Sequence, residues 1–180
     1  MDLIEKCLNK NYIFKGKVVS LRKDTVELPD GEHAFREVVE HSGGVCVLAI
    51  DKNDDILFVE QYRYPYEEIL LEIPAGRLEK GEDARQCGIR ELSEETGAAA
   101  KSFQRLCEFY PTAGYSDERI FIFTAKDLTF EETHFDEDEF LNLKRIPLKK
   151  ALEMVCCGEI KDAKTIIALL LYDKKLKTEI

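Results

Sequence analysis

The chain has 180 residues, 44% hydrophobic and 34% charged, a globular composition with room for one domain, or one domain with a small appendage. Its 36 acidic against 26 basic residues leave a net charge of −10, which makes it a poor candidate for nonspecific binding to nucleic acid or to an anionic membrane surface. No run approaches the ~18 apolar residues of a membrane span, and the opening MDLIEKCLNKNYIFKGK lacks the charged-then-apolar layout of a secretory leader.

In chain order, YIFKGKVVSLRKDTVEL has strand character, PDGE marks a turn, and HAFREVVEH returns as a second strand. SGG at 42–44 reads as a joint, so residues 1–42 are expected to form an N-terminal β subdomain and residues 43–180 the main domain. VCVLAI and ILFVEQYR, separated by the turn DKNDD, predict a hairpin. That turn is no EF-hand loop, because its sixth and twelfth positions are Ile56 and Tyr62 rather than glycine and glutamate. LLEIPAG is a short strand ending at Pro74 and Gly76, and the pattern becomes helical from about Glu82 to Thr96. Two further strands, FQRLCEFY and RIFIFTA, flank the loop PTAGYSDE; the acidic loop FEETHFDEDE then leads into the alternating FLNLKRI. Two helices close the chain, roughly Leu148 to Cys157 and Asp162 to Lys174, the second amphipathic through Ile166, Ile167, Leu169 and Leu170. Strands with an embedded helix and terminal helices argue for an α+β fold or an α/β/α sandwich. The cysteines Cys7, Cys46, Cys87, Cys107, Cys156 and Cys157 show neither CxxC pairing nor metal-ligand spacing, so free thiols in a reducing, cytoplasmic setting are expected.

The segment RELSEETG places Glu91, Glu94 and Glu95 on one face of the expected helix. Like-charge neighbours of this kind cost only about 0.2–0.5 kcal/mol per pair when solvated. A solvated acidic face is therefore one reading. The framing supports another: Gly76 and Gly81 let a loop pass its backbone close to a ligand, Gly97 ends the helix, and Arg90 can pair with the glutamates or with Glu82. Carboxylates stacked in this way bind hard cations such as Mg2+ or Mn2+ through oxygen. With an acidic protein and an anionic substrate, such cations must bridge the two.

The spacing Gly76-x5-Glu82-x7-Arg90-Glu91-Leu92-x-Glu94-Glu95-x-Gly97-Ala98 resembles the Nudix box, whose last position is usually a larger aliphatic residue than Ala98. At roughly 7% usage per residue type, chance yields such a window about once in 10⁸. The resemblance implies an α/β/α sandwich with an N-terminal antiparallel β subdomain. It further implies divalent cations held by Glu91, Glu94 and Glu95, and hydrolysis of a nucleoside diphosphate linked to another moiety.

EHSGGVCVLAI, VEQYRYP, LEIPAGRLEKGE, TAGYSDE, DEDEF and GEIKDAKTIIALLL are similar to the ADP-ribose pyrophosphatase branch of that family. That resemblance implies a homodimer built with the N-terminal subdomain and a small-molecule nucleotide-sugar substrate. It implies nucleotide contacts from Arg36 and Glu37, a phosphate or ribose contact from Arg63, and substrate contacts at Gly114 and Glu118. It makes Glu137 the general base and Glu139 a further metal ligand and catalytic group beside Glu94 and Arg90, with the Ala75 carbonyl also on the metal; the bland reading of DEDEF is a solvated loop. Tyr12 and Phe14 are expected to stack on adenine or to belong to the core. Ala113 stands where this branch usually carries a proline before the glycine, which keeps GDP-mannose and other nucleoside diphosphate sugars open as the alternative substrates.

Overall fold

A computed structural model of the chain describes residues 2–130 and 140–178. Its internal contacts divide it into two units, Met1–Gly43 with Tyr110–Arg119, and Gly44–Phe109 with Ile120–Ile180. In the first unit, β1 (Lys6–Lys15), β2 (Val19–Glu27) and β3 (His33–His41) form an antiparallel sheet in that order. The stretch that reads as one strand around Tyr12 to Leu28 is thus broken. The Gly16 N–H donates to the Val19 carbonyl at 2.9 Å and closes a hairpin, and the first strand begins at Lys6. The PDGE turn forms as predicted, with Gly31 in the left-handed region at φ 88°. Tyr110–Arg119, which reads as a plain connecting loop, joins this unit through the Val39 N–H to the Tyr115 carbonyl (2.8 Å) and the Asp117 N–H to the Val39 carbonyl (3.2 Å).

The second unit contains β4 (Gly44–Ala49), β5 (Asp55–Arg63), β6 (Glu68–Glu72), β7 (Ala75–Arg77), α1 (Ala84–Thr96), β8 (Ala98–Phe109), β9 (Ile120–Phe130), β10 (Leu141–Pro147), α2 (Leu148–Cys156) and α3 (Ala163–Thr178). Its strands make two sheets, β7-β4-β9-β8 and β10-β5-β6. The central pair, β4 and β9, runs parallel and is covered on both faces, which is why GVCVLA is apolar throughout and fully buried. Alternate residues of β4 serve two cores. Val45, Val47 and Ala49 pack with Cys87 and Leu92 of α1 and with the stacked rings of Phe103 and Phe123. Cys46, Leu48 and Ile50 pack with Ile122 and with Ala168, Leu169 and Tyr172 of α3. This is an α/β/α sandwich.

The hairpin expected of VCVLAI and ILFVEQYR does not form. Ile50 and Ile56 make an isolated bridge, and beyond it β4 and β5 enter different sheets. Each strand already has a partner on both edges, β7 and β9 for β4, β6 and β10 for β5. LLEIPAG divides in the same way: β6 and β7 belong to different sheets, and the Pro74 carbonyl between them accepts the Val47 N–H at 2.8 Å.

Helix α1 starts where Asp83 Oδ1 accepts the Arg85 and Gln86 N–H groups at 2.9 and 3.2 Å, and stops at Gly97, whose φ is 66°. Gly88 fixes how closely it lies on the sheet, since a Cβ there would stand 2.9 Å from both Phe103 Cζ and Val45 Cγ1. Gly88→Val is expected to destabilise the protein by about 1–3 kcal/mol through overpacking. Chemical denaturation would read this as a lower midpoint at unchanged slope.

Candidate active site

The buried residues of α1 are Cys87, Gly88, Glu91, Leu92, Glu95 and Thr96, a stripe at helical spacing that carries carboxylates. Glu91 is 7% exposed and Glu95 2%. A solvated acidic face is therefore excluded for these two. Glu94 and Arg90 lie at the rim, half-buried.

Arg90 organises the group. Its Nε and Nη2 donate to the Glu82 carboxylate at 3.0 and 3.2 Å, while its Nη1 reaches Glu94 Oε2 at 2.9 Å and Glu91 Oε1 at 2.7 Å. One guanidinium thus spreads its charge over three carboxylates. The Glu82 carboxylate also accepts the Glu79 N–H at 3.0 Å. Hydrogen bonds from Arg90, and then from that amide, hold its pKa down at about 2. Arg90 is correspondingly raised, chiefly by Glu82.

The loop backbone meets the helix at Ala75 and Gly76. The Ala75 N–H donates to Glu95 Oε2 at 3.0 Å. A Cβ on Gly76 would lie 1.8 Å from Glu91 Cδ, so the absence of a side chain lets this carboxylate touch the strand. The side-chain donor set is all oxygen: two buried carboxylates and a rim carboxylate beside the Ala75–Gly76 backbone. That chemistry fits a hard divalent cation. Among the described residues no group of three His, Cys, Asp or Glu side chains converges in metal-binding geometry; Arg90 stands among Glu82, Glu91 and Glu94, and Glu95 turns to the Ala75 amide. Glu137 and Glu139 lie outside the described residues. Burial pushes the Cys87 thiol up to about 12, so it stays protonated and is no nucleophile.

Arg63, at the end of β5, makes a two-pronged bond to Glu72, Nε to Oε1 at 2.6 Å and Nη2 to Oε2 at 2.9 Å. Glu72 is 1% exposed and also accepts from Lys164 Nζ at 3.0 Å. These two cations hold its pKa low against its burial. Sequence reading missed Glu72 and Lys164; the available signal was an acid inside the apolar run LLEIPAG.

The remaining expected residues lie on the first unit. Arg36 pairs with Glu5, Nε to Oε2 at 2.9 Å, on exposed surface. Glu37 is exposed and sits opposite Lys23 in the β2–β3 register. Glu118 lies 3.2 Å from Nδ1 of His41, and a Cβ on Gly114 would meet open space. Tyr12 and Phe14 are exposed rather than core, with the Lys15 ammonium 4.1 Å from the centre of the Tyr12 ring.

A model of the Nudix domain matches residues 40–167, and a model of the nucleoside diphosphate sugar hydrolase N-terminal domain matches residues 5–39. The chain belongs to the Nudix family. An ADP-ribose pyrophosphatase of Bacillus subtilis (strain 168) is 43% identical over 170 residues, covering 93% of this chain and 92% of that protein. A protein of Bacillus methanolicus named methanol dehydrogenase activator is 45% identical over 167 residues, covering 92% and 90%. The crystal structure of an ADP compounds hydrolase shares the fold, with a TM-score of 0.87 at 23% identity over 99% of this chain and 98% of that one. The motif that resembles the Nudix box, Gly76 to Ala98, contains the buried carboxylate stripe and its Arg90 clamp. Among the described residues no helix is long and apolar enough to cross a membrane.

Because the folded Glu82 carboxyl titrates near 2, below its ordinary ~4.3, its bonds stabilise the fold fully above pH ~4.3 and are lost as pH falls toward 2. Glu82→Gln should therefore melt below the wild type at pH 7, and thermal unfolding across a pH series should show the gap closing between about pH 4 and pH 2.

Proposed function

We propose that this Nudix enzyme hydrolyses the diphosphate of ADP-ribose to AMP and ribose 5-phosphate, as a cytoplasmic homodimer that uses Mg2+, with Mn2+ as a substitute. The observation that carries the reading is the burial of Glu91 and Glu95 against the Ala75–Gly76 backbone. The Bacillus subtilis relative supports the substrate. A divalent cation bound there supplies charge neutralisation for the diphosphate and a lowered pKa for the attacking water. Glu91, Glu94, Glu95 and the Ala75 carbonyl would hold it, with Glu139 added from the acidic loop.

The chain's own residues do the rest. Arg90 pairs with Glu91 and Glu94 and so limits the rotamers they adopt. Arg63 commits its Nε and one Nη2 hydrogen to Glu72, which leaves its Nη1 donors for a phosphate oxygen. Glu137 accepts the proton of the attacking water. On the N-terminal unit, Arg36 and Glu37 contact the nucleotide, and Gly114 and Glu118 contact the substrate. The exposed β1, with Leu8, Ile13 and Phe14 on its surface, supports self-association. The net charge of −10 disfavours nucleic acid and anionic membranes as partners.

Ala113 before Gly114 makes the substrate panel the informative experiment. Purified protein with Mg2+ is assayed on ADP-ribose, GDP-mannose, ADP-glucose, NADH and dGTP. ADP-ribose is expected among the best by kcat/KM; a clear preference for GDP-mannose would move the substrate assignment, and dGTP as the best would overturn it.

A further inference from the structure

Arg63 does not take the acid that its own hairpin places opposite it. In the β5–β6 register Arg63 faces Glu68, and Glu72 faces Val59. The guanidinium nevertheless runs back along the hairpin to Glu72, at 2.6 and 2.9 Å. Glu68 is engaged by Lys161 at 2.6 Å. Glu72 is a buried charge, and a buried carboxylate is held in place only where cations and hydrogen bonds satisfy it. Lys164, the second residue of α3, supplies the second cation, with Nζ 3.0 Å from Glu72 Oε2 and 2.5 Å from Asp162 Oδ1. Asp162 is itself fixed: its Oδ2 accepts the Thr165 N–H at 2.9 Å and the Thr165 hydroxyl at 2.7 Å. The Thr165 Oγ1 in turn accepts the Ile73 N–H at 3.0 Å, next to Glu72. Asp162, Lys164, Glu72 and Arg63 form a chain of alternating charge that begins at the start of α3 and ends at an arginine whose side chain is 36% exposed.

We propose that Glu72 and Lys164 are positioning residues that aim the free edge of Arg63 at the substrate diphosphate. The proposal rests on the reading that Arg63 contacts substrate. Neither Glu72 nor Lys164 touches substrate. Glu72 occupies one edge of the guanidinium and leaves the other to a phosphate, and Lys164 keeps Glu72 from swinging toward any other cation. Holding a long, rotamer-rich arginine in its bound geometry lowers the ordering cost of binding, so loss of the device should weaken binding before it slows the chemistry.

The test is a double-mutant cycle with Arg63→Ala and Lys164→Met, read as KM and kcat for ADP-ribose. Lys164→Met is expected to raise KM roughly tenfold with kcat changed less than about threefold. Lys164→Arg should recover most of that loss. The double variant should be no worse than Arg63→Ala alone, because Lys164 acts through Arg63. If Arg63→Ala raises KM while Lys164→Met leaves it unchanged, or if the two effects multiply, the positioning role is wrong. If Arg63→Ala itself leaves KM unchanged, the substrate role of Arg63 is wrong. Should Lys164→Met fail to fold by circular dichroism, Glu72→Gln carries the same cycle with the same outcomes.

Discussion

Glu91 and Glu95 lie one turn apart on the face of α1 that packs on the sheet, and burying like charges costs several kcal/mol unless something offsets it. The local structure is arranged around that cost. Arg90 lends its guanidinium to Glu91 and to two neighbours, the Ala75 N–H serves Glu95, and Gly76 omits a side chain where the Glu91 carboxylate must sit. The close approach of α1 depends on Gly88, and the sharp ends of the helix depend on Asp83 and Gly97. A fold selected for stability alone would place leucines on this stripe. We propose that the carboxylates are retained there as ligands for a divalent cation.

Much of this was legible in the sequence because it is local. The spacing of Glu91 and Glu95 is a helical period, Gly97 is a helix stop, and the reach of Arg90 to Glu94 is the ordinary i to i+4 distance. The periodicity could not show that this face is the buried one. That depends on the sheet lying beneath it, and the weak apolar stripe of α1 gave no direction. The expected β4–β5 hairpin fails for a related reason: the apolar runs and the turn between them are present, but other strands, β9 and β10 from far along the chain among them, take the edges of both.

The Glu72–Lys164 bond joins residues 92 positions apart, and no local pattern announces it. Its effect is the same as that of Arg90 on α1. In both places a buried carboxylate is shared between charged or amide donors, so that a second group is held in one orientation, Glu94 beside Arg90 in one case and Arg63 in the other. Rigid elements carry both arrangements, a helix on the one side and a hairpin braced by the start of α3 on the other. Preorganised charge of this kind is what a reaction on a polyanion requires, because electrostatic stabilisation is worth most where nothing has to reorient.

The central claim is that the buried carboxylates of α1 exist to hold a divalent cation. Titration of the chelator-treated protein with Mn2+, followed by the electron paramagnetic resonance signal of the free ion, tests it without recourse to turnover. The account predicts saturable binding to the wild type that is lost or weakened at least tenfold in the Glu91→Gln/Glu95→Gln double variant, provided that variant is folded by circular dichroism. Equal Mn2+ binding by the wild type and the folded variant would contradict it.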